Sequence, residues 1–149
     1  MKEKWKYISD FARDEEFARI DFHDAVVNGY SLPEDRLILH IEAVNILAEH
    51  SLNPYPVAKR VDDGSLEFAN VRHFHADLYE GKDKRAIQSY DILTDLEILE
   101  LRFSSPGEFA IFGITDRNAY DGNYCEIAIT AGGAWFKWMS FADDAWFVG

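Results

Sequence analysis

Two histidines and an aspartate occupy alternate positions in the chain, as His73, His75 and Asp77. On a β-strand, alternate side chains point to the same face, with about 7 Å between successive members. Two imidazoles and a carboxylate on one face can bind zinc or iron. No histidine follows His75, so a third imidazole would have to come from upstream, where His23 stands beside Asp24. The competing interpretation, which we favour, is the polar and solvent-facing side of an antiparallel sheet.

Other catalytic signatures are missing from the sequence. It contains no Gly-x-Ser-x-Gly elbow and no glycine-rich phosphate loop. The single cysteine, Cys125, excludes an internal disulfide and lies in an apolar-alternating run, which predicts a buried and unreactive thiol. The paired acids Asp62-Asp63 and Asp143-Asp144 stand in turn sequences, where solvated side chains are expected. With no complete catalytic or cofactor motif, the sequence predicts no cofactor and favours a protein that is not an enzyme.

Aromatic side chains crowd the last fifteen positions of the sequence. They are Trp135, Phe136, Trp138, Phe141, Trp146 and Phe147. Alternation along a strand places Trp135 on the opposite side from Trp138, so part of this cluster faces each side. One side would be core, and the other could be an exposed patch for a protein or a sugar. The alternative is that both sides are covered by the rest of the domain.

The net charge of -12 excludes several classes of partner. An acidic field repels nucleic acid phosphates and anionic lipids, whereas it would steer a basic protein toward the domain. The most acidic stretch is 10–24, with six acids against two bases. The residues that we predict to contact a protein partner are Asp14, Glu15, Glu16, Trp135 and Trp138.

The elements that carry these residues are predicted to be mostly strands. Residues 36–47 and 65–79 alternate between apolar and polar side chains, and three short strands follow near the end of the chain. The pairs Asp121-Gly122 and Gly132-Gly133 predict the turns between those three strands. Eight or nine strands joined by short turns indicate an antiparallel meander that forms a barrel or a sandwich.

The beginning of the chain is predicted to differ from the rest. Residues up to Ile20 form a short N-terminal helix in this interpretation, with Ser9 or Asp10 as its cap. The 149 residues suit a single globular domain. No long apolar run follows the basic first residues and none is long enough to span a membrane, so we predict a cytoplasmic protein.

Two short segments carry a resemblance to a known group of proteins. The run Asp21-Phe-His-Asp-Ala-Val-Val27 precedes the alternating segment 37–42, and Leu66-Glu-Phe-Ala-Asn-Val71 follows later. This arrangement resembles small bacterial domains in which an "HD-small-x-aliphatic" motif leads into a β meander, including immunity proteins of polymorphic toxin systems. The resemblance implies a β protein that binds and blocks a toxin domain. It also implies that His23 and Asp24 are structural, with Asp24 accepting backbone N–H groups.

Three functions therefore stay open at the level of sequence. The first is a protein-binding domain of the immunity type that neutralises a basic toxin. The second is a metal-dependent enzyme or metal-binding barrel built on His73, His75 and Asp77 with His23. The third is a binder of small ligands or sugars through Trp135, Trp138 and Trp146.

Overall fold

A computed structural model describes residues 5–11, 15–104, 107–115 and 122–148 of the chain. Antiparallel strands make up most of this part, which confirms the predicted fold class. The strands are β1 Tyr7–Asp10, β2 Ile20–Asp21, β3 Val26–Ser31, β4 Arg36–Glu42, β5 Val44–Ile46, β6 Lys59–Val61, β7 Gly64–Glu80, β8 Asp83–Ile87, β9 Leu96–Ser104, β10 Glu108–Ile114 and β11 Tyr124–Trp138. Two short 3₁₀ helices cover Glu15–Arg19 and Tyr90–Leu93.

The main sheet contains eight strands in the order β1-β11-β10-β9-β3-β4-β7-β8, and β11 also pairs with β7. This extra pairing closes a circuit of six strands, with β1 and β8 attached at its sides. The sheet therefore folds over onto itself in a sandwich-like arrangement. A small second sheet, in the order β2-β5-β6, packs beside it.

Strands β7 and β11 are the longest and form the centre of the fold. They pair along almost their full lengths, from Tyr79 opposite Tyr124 to Gly64 opposite Trp138. On its other side, β7 pairs with β4 along its first part and with β8 along its last part. Likewise, β11 pairs with β10 and then with β1. These two strands thus hold the two halves of the sheet together.

The core lies between the two folded halves of the sheet. Alternate residues of β4, β10 and the first half of β11 are buried in it, as the sequence pattern requires for strands with one buried face. Its largest fully buried side chains include Trp138, Phe136 and Phe68. Cys125 is also completely buried, as predicted, and burial raises the pKa of its thiol to about 12. This thiol is therefore protonated and shielded from reagents.

The predicted N-terminal helix is wrong. Tyr7–Asp10 instead forms strand β1, whose partner is the end of β11, and only the five residues Glu15–Arg19 form a 3₁₀ helix. Ser9 is buried as part of the strand rather than capping a helix. Within the described residues, neither 3₁₀ helix has the length or the apolar character needed to cross a bilayer.

The predicted turn at Gly132-Gly133 is also wrong, because β11 runs through both glycines without a break. At this point β11 lies against Asn70 of β7, whose backbone adopts a positive φ of 53°. A Cβ on Gly132 would lie 3.2 Å from the Cβ of Asn70. Gly132 therefore allows β11 and β7 to approach each other closely, which is a role that glycine has inside strands as well as in turns.

Candidate functional site

His23 and Asp24 lie in the tight connection between β2 and β3, beside β9. The Nδ1–H of His23 donates to the carbonyl of Leu99 at 2.8 Å, which fixes the tautomer of the ring. The backbone N–H of Asp24 donates to the carbonyl of Ile98, and Asp24 has a positive φ of 68°. The backbone N–H of His23 donates to the carboxylate of Asp21. The geometry therefore supports a structural role, but Asp21, rather than Asp24, is the acid that accepts a backbone N–H.

This geometry predicts a pH dependence of stability. The hydrogen bond to Leu99 raises the pKa of His23, and the nearby carboxylates of Asp24 and Asp21 add to the effect. A histidine whose pKa is raised by folding stabilises the fold fully below its unfolded value of about 6.5 and loses that contribution as the pH rises through the folded value. We expect wild type to be more stable than His23→Gln at low pH, with a difference that shrinks toward alkaline pH.

Urea unfolding of both proteins, from pH values below the unfolded pKa of histidine to alkaline pH, measures the difference in their free energies of unfolding. NMR titration of the ring gives the folded pKa of His23. A difference that grows as the pH rises would contradict the assigned hydrogen bond. The side chain is about half exposed, so screening by solvent keeps the effect small.

His73, His75 and Asp77 share one face of β7, as their alternation predicts. The rings of the two histidines stack with centroids 6.2 Å apart, and Nε2 of His75 lies 2.8 Å from a carboxylate oxygen of Asp77. His23 bonds to Leu99 instead of joining them. Among the described residues, no three His, Cys, Asp or Glu side chains come together in a way that could hold a metal ion. The geometry gives the metal hypothesis no support in this part of the chain.

Two tyrosines and a glutamate, which the sequence did not single out as a site, lie on the same outer face as Asp77. The hydroxyls of Tyr79 and Tyr124 each donate to one oxygen of Glu126, both at 3.1 Å. Glu126 is the direct cross-strand partner of Asp77 in the pairing of β7 with β11. One strand further, Phe112 of β10 is the cross-strand partner of Glu126, and the guanidinium of Arg102 on β9 lies 4.7 Å from the centroid of the Phe112 ring.

The sequence indicated these residues only indirectly, through the alternation of buried and outward-facing positions. The run 124–130 alternates about the buried Cys125, so Tyr124 and Glu126 share its outward parity. Their meeting with Tyr79 depends on the register between β7 and β11, and residues this far apart in sequence give no local signal for that register.

A second polar cluster lies at the other end of β7 and is buried. The carboxylate of Glu67 contacts Nζ of Lys137 at 3.1 Å and a guanidinium nitrogen of Arg36 at 2.9 Å, and it accepts the hydroxyl of Ser65. The guanidinium of Arg36 lies over the ring of Trp135. The expected solvent-facing side of β7 is therefore wrong at this end, where Glu67 and Ser65 are buried.

The two tryptophans predicted to contact a partner have different surroundings. Trp138 is 0% exposed and packs against Tyr7 and Phe136, so its prediction as a binding residue is wrong. Trp135 is half-buried beneath Arg36. These two residues and Trp146 do not form the shared aromatic surface that a sugar site would need.

The largest exposed aromatic side chain is Trp146, at 72% exposure, followed along the chain by Phe147 at 45%. Their rings meet edge to face, with centroids 5.5 Å apart. Both belong to residues 143–148, which we call the C-terminal projection. The backbone of this segment is held against β6, because Ala145 N–H donates to the carbonyl of Ala58 and Arg60 N–H donates to the carbonyl of Asp143.

Acidic side chains surround the C-terminal projection. Asp143 and Asp144 are exposed within it, and Asp62 and Asp63 are exposed on the adjoining turn. Two cations, Lys59 and Arg60, are already paired with these acids: Lys59 with Asp144 at 2.7 Å, and Arg60 with Asp62 and Asp143. The surroundings of the two aromatic rings therefore carry an excess of negative charge.

The acidic segment predicted to bind a partner lies mostly outside the described residues. Asp14 is not described. Glu15 and Glu16 begin the 3₁₀ helix Glu15–Arg19, and only their backbone is described.

Comparison with protein-family models, with curated proteins and with solved structures gave no match.

Proposed function

We propose that this domain binds a basic protein through its C-terminal projection, and that the partner is a toxin domain which it neutralises. The observation that carries this proposal is the ordered presentation of Trp146 and Phe147. Monomeric proteins expose single apolar residues routinely, but two adjacent exposed aromatic rings on an anchored backbone are typical of a binding site.

The anchoring of the C-terminal projection favours binding energetically. Backbone hydrogen bonds to β6 and the buried side chain of Ala145 hold the segment in place before any partner arrives. Docking of a partner then costs this segment less conformational entropy than it would cost a mobile tail. Tryptophan is also the residue most enriched among those that dominate binding energy at interfaces.

The charge around the C-terminal projection favours a partner with a positively charged surface. Exposed carboxylates surround the aromatic pair, and the whole chain carries a net charge of -12. Such a field accelerates encounter with a positively charged surface and opposes an acidic one. The proposal that the partner is a toxin has a further support in the sequence. The segment with His23 and Asp24, together with the strands that follow it, resembles immunity domains.

The experiment is affinity capture followed by calorimetry with the purified partner. We expect the captured protein to be basic and its affinity to fall with added salt. Trp146→Ala should weaken binding by at least about 30-fold, the equivalent of about 2 kcal/mol for an interface anchor. Leu32→Ala is the matched control, because Leu32 is an exposed apolar residue on the loop after β3.

An acidic partner, or equal affinities for wild type and Trp146→Ala, would sink the proposal. Coexpression separates its two parts: a basic partner that is not toxic to cells leaves the binding role but removes the immunity role.

A further inference from the structure

The outer face formed by β9, β10, β11 and β7 contains two carboxylates directly opposite each other. Glu126 of β11 and Asp77 of β7 are cross-strand partners. Like charges in this relation destabilise a sheet unless a cation lies between them. Within the described residues, no lysine or arginine forms an ion pair with either carboxylate, and the carboxylate of Asp77 lies 2.8 Å from Nε2 of His75.

Two phenol rings stand beside this pair of acids. Tyr79 and Tyr124 occupy the neighbouring cross-strand position, with ring centroids 5.5 Å apart and planes inclined at 46°. Both hydroxyls donate hydrogen bonds to Glu126, and these two bonds hold the carboxylate of Glu126 in place. Desolvation raises the pKa of Tyr124 to about 12, so this hydroxyl keeps its proton. A phenol that donates a hydrogen bond to an anion has a more electron-rich ring, which strengthens its attraction for a cation.

Two cations lie near this group: Lys84 of β8 is the cross-strand partner of Tyr79, and the positive charge of Arg102 acts on Tyr124 and Glu126. Arg102 makes two hydrogen bonds to Glu100, at 2.8 and 3.1 Å, while its guanidinium covers the ring of Phe112. This contact also shows that the face accommodates a cation over an aromatic ring. The next residue of β11 on the same face as Glu126 is the exposed Ala128. Its cross-strand partners are Ala110 on β10 and His75 on β7. The small alanines leave the carboxylate of Glu126 open to approach from that side.

We propose that Asp77, Tyr79, Tyr124 and Glu126 form a binding site for an organic ammonium group, as found on an alkylammonium ion or a lysine side chain. An ammonium ion with attached carbon satisfies both parts of the site, because its positive charge is attracted to both carboxylates while its CH groups lie on the phenol rings. A hard metal ion would need more oxygen ligands than these two acids supply. The site shares no residue with the C-terminal projection, so the experiment below can refute it without refuting the proposed toxin binding, and the reverse is also true.

The test compares choline with 3,3-dimethylbutan-1-ol, which has the same shape without the charge, by NMR titration of the whole protein. We expect choline to shift the signals of Tyr79, Tyr124 and Glu126 and to saturate with a dissociation constant of about 1 to 10 mM. The neutral alcohol should produce no saturable shifts. Equal shifts from both compounds, or none from either, would overturn the site.

Variants locate the site and identify the source of the ammonium group. Glu126→Gln keeps the shape of the side chain and should weaken choline binding about tenfold, and Tyr124→Leu should weaken it severalfold. Glu42→Gln changes the net charge equally at an exposed position on β4 and should leave the affinity unchanged. If Glu42→Gln weakens binding as much as Glu126→Gln, only the overall charge matters and the site is refuted. Tighter binding of N-acetyl-lysine amide than of choline would indicate a lysine side chain as the natural ligand, and the reverse would indicate a small alkylammonium ion.

Discussion

Replacing Trp138 by alanine is expected to lower the free energy of unfolding by about 3 to 5 kcal/mol. Trp138 is completely buried at the end of β11, where its ring packs against Tyr7, Phe136 and Phe141. The substitution removes the largest side chain in the core and leaves a cavity that a closed sheet cannot collapse to fill. It also removes the ring against which Tyr7 stacks, so β1 loses packing while its backbone hydrogen bonds to β11 remain.

One feature of Trp138 partly offsets this loss. Its indole N–H is buried and finds no acceptor among the described residues. A buried donor without a partner costs free energy, and alanine removes that cost together with the ring. We therefore expect a value nearer the lower end of the range.

Urea unfolding followed by far-ultraviolet circular dichroism measures this difference, because the signal does not depend on tryptophan fluorescence. Trp146→Ala is the matched control, since the same substitution at an exposed position should change stability by less than about 0.5 kcal/mol. If the two substitutions cost the same, Trp138 does not have the core position assigned to it.

The fold class was predictable because alternation along a strand is a local property. Residues 65–79 show a period of two, and they lie within β7 in the structure. The nature of the first segment was not predictable in the same way. Tyr7–Asp10 is a strand because the end of β11 offers it a free edge, and no composition rule reports a partner more than a hundred residues away.

The break predicted at Gly132-Gly133 failed for a related reason. Two glycines favour a turn when only the local chain is considered. Here the same freedom serves a close approach between β11 and Asn70 on β7. Local sequence cannot distinguish these two uses, because the contact that decides between them is made by another strand.

Half of the outer-face site was predictable. Alternation places Asp77 and Tyr79 on one face with the two histidines, and the polar character of that face was expected. The contribution of Tyr124 and Glu126 depends on which residue of β11 meets which residue of β7. That register is set by the fit of the core. The sequence therefore suggested a metal site from His73, His75 and Asp77 with His23, whereas the structure places two phenols and a second carboxylate beside Asp77.

The buried cluster at the start of β7 was the least predictable feature, and it carries the second large effect. Glu67 lies on the parity that was expected to face solvent, yet its side chain is 3% exposed and that of Lys137 is 7% exposed. Arg36 lies over Trp135 and reaches the same carboxylate, so these two larger side chains cover it. Opposite charges buried in this way depend on each other, because neither is solvated by water.

Glu67→Gln is therefore expected to destabilise the fold by about 3 kcal/mol or more, the usual result of removing one partner from a buried ion pair. The amide keeps the size of the side chain but takes the negative charge away from the buried ammonium of Lys137. Arg36→Gln is the control, because its side chain is 40% exposed and its removal leaves Lys137 and Ser65 in contact with the carboxylate. That variant should cost about 1 kcal/mol or less.

Replacing both buried charges, as in Glu67→Gln combined with Lys137→Met, separates pairing from packing. If the cost of Glu67→Gln comes from the loss of its attraction to Lys137, the double variant should recover part of the lost stability, since no buried ammonium then faces the amide. Strict additivity of the two single costs would mean that Glu67 and Lys137 act independently, and the ion pair would then have no share in holding β7 to β11. Recovery would show that this charge pair, which lies outside the apolar core, couples β7 to β11 energetically.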